Sequence, residues 1–269
     1  MSDRNSSPGS LPNRFERPAL PTDPAGLPPL PVEFAATLVA GLDGLRLDLP
    51  PDVLANLDAF SRLLLAWTAA INLTAIREPV AVARDHLLDS LSAVRLLRAA
   101  GARRVLDLGS GGGLPGIPIA LALPDARVLL VESIGKKARF LETAVTALGL
   151  QGRVRVAAAR AEEIAVPGRE RGRWDAVLVR AVAELGELVE LALPLLSQGG
   201  LLVAWKRDPV ADEVRRAAGA LTALGGRVVE IVPAGVAGLE EHRLVVVRKL
   251  RPTPARFPRT PADRRRQPL

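Results

Sequence analysis

The sequence predicts an α/β domain built on a mostly parallel sheet, with helices on both faces and an antiparallel hairpin at its end. Two observations carry this prediction. After residue 101, apolar segments typical of strands alternate with segments typical of helices, which is the pattern of parallel βαβ units. Near the C-terminus the predicted strands 227–232 and 243–247 follow one another without a helix between them, so we expect them to pair as a hairpin.

The individual elements follow from hydrophobic periodicity. The clearest helix is 52–71, where apolar side chains recur at alternating steps of four and three residues and form one stripe. It begins after two prolines, Pro50 and Pro51, at a position where proline is tolerated. Two further helices are predicted in the N-terminal part, over 31–42 and 80–99. Beyond residue 101 we predict strands at 103–107, 127–131, 153–157, 174–179 and 200–205, and helices at 114–123, 136–148, 184–195 and 208–224.

Composition suggests three parts in the chain. Residues 1–30 are rich in Pro, Ser and Gly and have few apolar anchors, so we expect them to be disordered. Residues 31–250 form the predicted domain, in which 31–100 is an N-terminal helical cap over the sheet. Residues 251–269 form a basic C-terminal tail.

The residue content excludes several kinds of chemistry. The chain has no cysteine, which excludes disulfides, thiolate metal sites and a thiol nucleophile. Its only histidines are His86 and His242, too few for a multi-histidine metal site, and we expect no metal. No run of 18 apolar residues is present, and the N-terminus lacks the apolar core of a secretory signal. We therefore expect a cytoplasmic monomer that does not associate with membranes.

Positive charge is concentrated at the C-terminus. Residues 248–269 contain eight basic residues and one acidic residue, which accounts for the whole formal net charge of +7. A concentrated basic segment is typical of chains that bind a polyanion such as RNA. A solvated terminus without a partner is the alternative interpretation.

The most informative motif is residues 105–113, Val-Leu-Asp-Leu-Gly-Ser-Gly-Gly-Gly. A strand, a glycine turn and a helix in this order indicate a nucleotide-type cofactor site, although a tight turn without a ligand has the same pattern. Gly109 and Gly111 let the backbone bend and let a ligand approach closely. Asp107 would repel a pyrophosphate, so it favours a cationic ligand such as the amino and sulfonium groups of S-adenosylmethionine (SAM).

Glu132 supports the cofactor interpretation. It follows the second predicted strand and lies 23 residues after Gly109. This is close to the spacing of about 20 residues at which a carboxylate binds the two hydroxyls of a ribose. A solvated strand end is the alternative, but the glycine loop and the acid together favour a nucleoside-containing cofactor.

Four motifs connect the chain to a known family. In order, they are Asn-Leu-Thr-Ala-Ile-Arg at 72–77, His-Leu-Leu-Asp-Ser-Leu at 86–91, Asp-Leu-Gly-Ser-Gly-Gly-Gly-Leu-Pro-Gly-Ile-Pro-Ile at 107–119, and Arg180-Ala181. From about residue 52 onwards, the sequence resembles the bacterial 16S rRNA guanine-N7 methyltransferase family RsmG, also called glucose-inhibited division protein B. The resemblance implies a class I SAM-dependent methyltransferase (Rossmann-like) fold with a seven-stranded sheet. It also implies methyl transfer from SAM to N7 of a guanine in 16S rRNA.

The resemblance assigns cofactor contacts to particular residues. Gly109 would lie against the methionine portion of SAM, and Leu114 would form an apolar wall beside it. Ala161 and Glu162 would flank the adenine, and Arg180 would also reach the cofactor. All follow predicted strands or the glycine loop, at the edge of the sheet where ligands bind in such folds.

Three residues are candidates to hold the target base or nearby phosphates: His86, Asp89 and Lys206. His86 fits a structural histidine equally well, and Asp89 fits a helix-packing partner. The chain departs from the usual family pattern at Asp85, at the exchanged pair His242-Arg243, in the missing glycine after Phe257-Pro258-Arg259, and in the length of its N-terminal extension.

The implied reaction needs no catalytic base, because guanine N7 has no proton to lose. We therefore predict no catalytic residue and expect catalysis by positioning. The deep major groove of an RNA duplex hides N7, so the target base should lie in an accessible loop. The expected partner is 16S rRNA, the small ribosomal subunit or its precursor. Alternatives are a SAM-dependent methyltransferase of another RNA, a ribosomal protein or a small molecule, a non-enzymatic RNA-binding module, and a dinucleotide oxidoreductase.

Overall fold

The computed structural model describes residues 20–180 and 183–269. Its centre is one seven-stranded sheet with the strand order β3-β2-β1-β4-β5-β7-β6. Strands β1 to β5 are mutually parallel, and β7 runs antiparallel to both of its neighbours, β5 and β6. The predicted parallel sheet with a terminal hairpin is therefore confirmed. The strands are β1 (Arg104–Leu108), β2 (Arg127–Val131), β3 (Val154–Ala157), β4 (Trp174–Arg180), β5 (Leu196–Arg207), β6 (Gly226–Pro233) and β7 (His242–Lys249).

Helices cover both faces of the sheet. Neighbouring residues of β1 alternate between the two faces, so that Val105 joins one apolar cluster and Leu106 the other. The first cluster contains the N-terminal helices with α6 and α7, and the second contains α9 and α11. The helices are α1 (Val32–Gly44), α2 (Pro51–Ile71), α3 (Pro79–Ala81), α4 (Asp89–Leu91), α5 (Val94–Ala99), α6 (Gly116–Ala122), α7 (Gly135–Ala147), α8 (Ala161–Ile164), α9 (Leu185–Ala192), α10 (Ala211–Arg216), α11 (Ala218–Leu224) and α12 (Pro261–Arg266).

The helix predicted over 80–99 is interrupted. Between α3 and α4 the chain forms a π-helix, Val82–Leu88, and α5 follows as a separate helix. The hydroxyl of Ser90 donates to the carbonyl oxygen of His86, and the hydroxyl of Ser92 donates to the carbonyl oxygen of Asp89. These hydroxyls compete with backbone amides for the carbonyl oxygens of the helix. Similarly, the predicted helix 208–224 is divided into α10 and α11. None of the helices in the described ranges is both long and apolar enough to cross a membrane.

The start of the described chain packs on the domain. The side chains of Leu20, Leu27 and Leu30 lie against the first apolar cluster. The indole Nε1 of Trp67 donates to the carbonyl oxygen of Pro21 over 2.7 Å. The expectation of disorder is therefore wrong for residues 20–30, whose leucines bury apolar surface, and residues 1–19 lie outside the described residues.

Residues 251–269 also pack on the domain. Phe257 is only 3% exposed and belongs to the second apolar cluster. The segment then forms α12, which begins after the capping side chain of Thr260. The expectation of a separate basic tail is therefore corrected, because a buried aromatic side chain anchors the segment to the fold.

Candidate active site

The glycine loop connects the carboxyl end of β1 to α6. Gly109, Gly111 and Gly113 have φ angles of 77°, 53° and 80°, in the left-handed region that disfavours residues with a Cβ atom. The amides of Gly109 and Ser110 both donate to the carbonyl oxygen of Val131 over 2.9 Å. The loop is therefore a fixed turn attached to the end of β2.

Asp107 lies beneath this loop and is completely buried. Its Oδ2 atom accepts a hydrogen bond from the amide of Gly116 over 3.0 Å, and a Cβ at Gly116 would come within 2.6 Å of the same oxygen. Burial raises the pKa of Asp107 from 3.8 to about 7. The other oxygen, Oδ1, is buried and has no partner among the described residues. A cationic group near the loop fits this unpaired oxygen.

Glu132 fastens the loop from the neighbouring strand. Its side chain accepts hydrogen bonds from the amide of Gly111 (Oε2, 2.9 Å) and from the amide of Ile134 (Oε1, 2.7 Å). The residue is 6% exposed. Each carboxylate oxygen has a second lone pair, so Glu132 retains the capacity to accept from ribose hydroxyls. The residues present therefore fit a nucleoside-containing cation.

The remaining cofactor candidates border the same edge of the sheet. Leu114 and Ala161 are each 7% exposed, the first in the glycine loop and the second at the start of α8. Helix α8 follows β3, which pairs with β2, and the amide of Glu132 donates to the carbonyl of Ala157. Glu162 makes an ion pair with Arg264 (Oε1–Nη2, 2.6 Å).

A second group of residues surrounds a cavity of about 640 Å³ at the carboxyl end of β4 and β5. The three substrate candidates line it, together with Arg180, which the sequence assigns to the cofactor. Four further polar side chains line the cavity, and the sequence assigned none of them to a site: Asp85, Trp205, Arg207 and His242. The available signal was that Asp85 and His242 stand at positions where the chain departs from the family pattern.

Asp89 connects three other side chains of this cavity wall. Its carboxylate, 2% exposed, accepts from the guanidinium of Arg180 (Oδ2, 3.1 Å) and pairs with His242 (Oδ1 to Nδ1, 2.9 Å). The indole Nε1 of Trp205 donates to the backbone carbonyl of Asp89 over 2.9 Å. A buried carboxylate needs such partners, so Asp89 fixes the orientation of Arg180 and His242.

Both ring nitrogens of His86 have hydrogen-bond partners. Nδ1 lies 3.2 Å from Nη2 of Arg180 and 3.2 Å from the carbonyl oxygen of Asp85. Nε2 lies 2.6 Å from Oγ1 of Thr74. Burial, with the charge of Arg180 as the second cause, lowers the pKa of His86 from 6.5 to about 4. His86 is therefore neutral near pH 7.

Two charged candidates have partners within the fold. Nζ of Lys206 donates to the carbonyl of Ala183 over 2.6 Å and pairs with Glu213 over 2.5 Å, so its charge is neutralised by α10. Arg180 contacts Asp89, His86 and the carbonyl of Asp85, which places it on the wall of the cavity. Its charge also acts on the buried carboxylate of Asp107, and its contact with the cofactor stays a prediction.

Comparison with known proteins identifies the family. The family model described as rRNA small subunit methyltransferase G matches residues 53–243. The chain belongs to this family. A protein of that name from Roseiflexus sp. (strain RS-1) is 41% identical over 226 residues, which cover 84% of this chain and 95% of the relative. Another, from Rubrobacter xylanophilus, is 47% identical over 213 residues, covering 77% of this chain and 80% of the relative. The resemblance found in the sequence motifs is confirmed.

Solved structures share the fold of this rRNA small subunit methyltransferase G family member. An O-methyltransferase from Bacillus cereus in complex with SAH aligns with a TM-score of 0.54 at 19% identity, covering 80% of this chain and 100% of that one. TomG from Streptomyces achromogenes, an O-methyltransferase in complex with SAM, aligns with a TM-score of 0.50 at 21% identity and covers 73% and 90% of the two chains. The class I methyltransferase fold is therefore confirmed.

Proposed function

We propose that this protein transfers the methyl group of SAM to N7 of a guanine in 16S rRNA. The name of its family supports methyl transfer to the RNA of the small ribosomal subunit. One observation favours N7: His86 is buried and the guanidinium of Arg180 lies 3.2 Å from its Nδ1, so the ring is not protonated near pH 7. A cavity whose buried histidine cannot take up a proton near pH 7 suits a nucleophile that has no proton to lose.

The cofactor would lie at the carboxyl ends of β1, β2 and β3. When bound, SAM would supply a methyl group on a sulfonium, and the neutral thioether of S-adenosylhomocysteine would leave without activation by the protein. Gly109 and Gly111 would admit the ligand to the backbone, and the buried carboxylate of Asp107 would attract its positive charge. Glu132 would accept from the ribose hydroxyls. Leu114 would form an apolar wall beside the methionine portion, and Ala161 and Glu162 would flank the adenine.

The target base would enter the cavity beside Arg180. This guanidinium is held on three sides by Asp89, His86 and the carbonyl of Asp85, so its direction is fixed before the base arrives. Guanine carries an acceptor, O6, next to N7, and arginine is its usual partner. Arg180 or the neighbouring Arg207 would donate to O6 and leave N7 free to face the methyl group. Catalysis would then come from alignment and from the exclusion of water.

The test is methylation of small ribosomal subunits from a strain that lacks this protein. We expect purified protein and SAM with a labelled methyl group to yield N7-methylguanine in 16S rRNA, identified by mass spectrometry of nucleosides. Gly109→Val is the matched inactive control, because it alters the glycine loop and leaves the cavity intact. A label found on another atom, another RNA or a ribosomal protein would contradict the proposal, and the last two would favour the alternative substrates.

A further inference from the structure

The six arginines of residues 251–269 are not a uniform basic surface. Arg259 is a structural anchor: its Nη2 and Nε atoms bind the two oxygens of Glu190 over 2.6 and 2.9 Å, and its backbone amide adds a third contact of 2.8 Å. Glu190 lies on α9 and is 2% exposed. The positive charge of Arg259 is therefore neutralised inside the fold and is not available to a polyanion.

Arg171 makes a second set of contacts that hold the C-terminal segment 251–269 to the chain after α8. The guanidinium of Arg171 donates to the carbonyl oxygens of Thr253 (2.9 Å), Pro254 (3.0 Å) and Phe257 (2.6 Å). It also donates to the carbonyl of Ala165, the residue that follows α8. The C-terminal segment and the end of α8 thus share one donor and are fixed relative to each other.

Arg264 extends this connection to the edge of the sheet where the cofactor residues lie. Its Nη2 binds Oε1 of Glu162 on α8 over 2.6 Å, and its Nε lies 3.3 Å from Oε1 of Glu187 on α9. Its Nη1 donates to the carbonyl of Arg259, so the anchor described above holds the backbone beneath it. The side chain of Arg264 is 10% exposed and that of Glu162 is 18% exposed. This pair is therefore more protected from solvent screening than an ordinary surface ion pair.

The geometry points to the C-terminal segment as a positioning element of the cofactor site, in which Arg264 holds Glu162 and α8 in the orientation required by the adenine of SAM. The inference rests on the proposed function. Arg264 occupies Oε1 of Glu162, and Oε2 accepts no hydrogen bond from the described part of the chain. A fixed carboxylate oxygen at this edge suits the exocyclic amine of adenine, which donates two hydrogen bonds. Arg264 acts through Glu162 and does not itself contact the ligand.

The test is calorimetric binding of S-adenosylhomocysteine to the full-length protein and its variants. We expect Arg264→Ala to weaken binding about tenfold, the loss of roughly one charge-assisted hydrogen bond. Arg266→Ala is the matched control: it removes the same charge from the same helix, and its side chain is 79% exposed with Asp263 at 3.9 Å as its ion-pair partner. We expect this control to bind within twofold of the unaltered protein.

A second ligand separates positioning from general stability. The 6-oxo analogue of S-adenosylhomocysteine, which carries hypoxanthine in place of adenine, cannot donate from position 6. We expect the unaltered protein to prefer the adenine ligand about tenfold, and Arg264→Ala and Glu162→Gln each to bring this ratio close to one. The double variant should lose no more than either single variant. If Arg264→Ala does not fold, Arg264→Lys carries the test, with an expected loss of about threefold in affinity and a retained preference.

Three outcomes contradict the inference. Equal affinities of Arg264→Ala and Arg266→Ala would show that the Glu162 pair has no role in binding. A lower melting temperature of Arg264→Ala with an unchanged preference for adenine would show a purely structural role. If the unaltered protein binds neither SAM nor S-adenosylhomocysteine, the proposed function itself fails, and the inference fails with it.

Discussion

Acidification tests the assignment of His86 as a neutral, buried group. Its pKa is about 4 in the folded protein against 6.5 for an ordinary histidine, and burial is the main cause. Between pH 6.5 and pH 4, His86 binds a proton in the unfolded chain but not in the folded chain. The free energy of unfolding is therefore at its full value above pH 6.5 with respect to this group, and it falls as the pH drops towards 4. The full difference corresponds to about 3 kcal/mol, and by pH 5 roughly 2 kcal/mol of it is already lost.

The assay is urea unfolding at pH 8 and pH 5 for the unaltered protein and His86→Gln. Glutamine can still form a hydrogen bond with Thr74 but does not titrate, so the variant should lack about 2 kcal/mol of the destabilisation seen at pH 5. Equal pH dependence in both proteins would refute the assigned protonation state. The rate of single-turnover methylation, at saturating RNA and SAM, should be flat between pH 6 and 7.5. A rise between pH 6 and 7 that disappears in His86→Ala would show that His86 is a general base and that the mechanism is wrong.

Three further predictions concern the loop, its buried acid and the C-terminal anchor. Gly109→Val should abolish SAM binding in calorimetry, since φ is 77° and a branched side chain would enter the space where the ligand approaches. SAM should bind about tenfold more tightly at pH 8 than at pH 6, because Asp107 ionises near pH 7 and its anion attracts the ligand; an equal pH dependence in Asp107→Asn would exclude this cause. Arg259→Ala should cost about 3–5 kcal/mol in urea unfolding by leaving Glu190 buried without a counter-charge, and adding Glu190→Gln should recover part of this loss.

The sequence alone determined the architecture because the signals of architecture are local. The apolar stripe of 52–71 predicted α2 to within one residue at its start, and β2 has its predicted bounds of 127–131. The left-handed turn of the loop was equally visible, because glycine adopts that backbone at no steric cost. The interruption of the predicted helix 80–99 between residues 82 and 93 was not visible in the sequence. An amphipathic pattern looks the same whether the helix is regular or contains a π turn.

Only the tertiary structure decided which charged side chains are available to a ligand and which are neutralised by a partner within the fold. Asp89 and His242 are 153 residues apart in the chain, yet the buried carboxylate of Asp89 lies 2.9 Å from Nδ1 of His242, and Lys206 is neutralised by an acid on a later helix. The C-terminal arginines look like a tail for RNA in sequence, but Arg259 and Arg264 find their acids on α9 and α8. A residue's charge can be read from its identity, whereas its pairing depends on the long-range packing that brings its partner within a few ångströms.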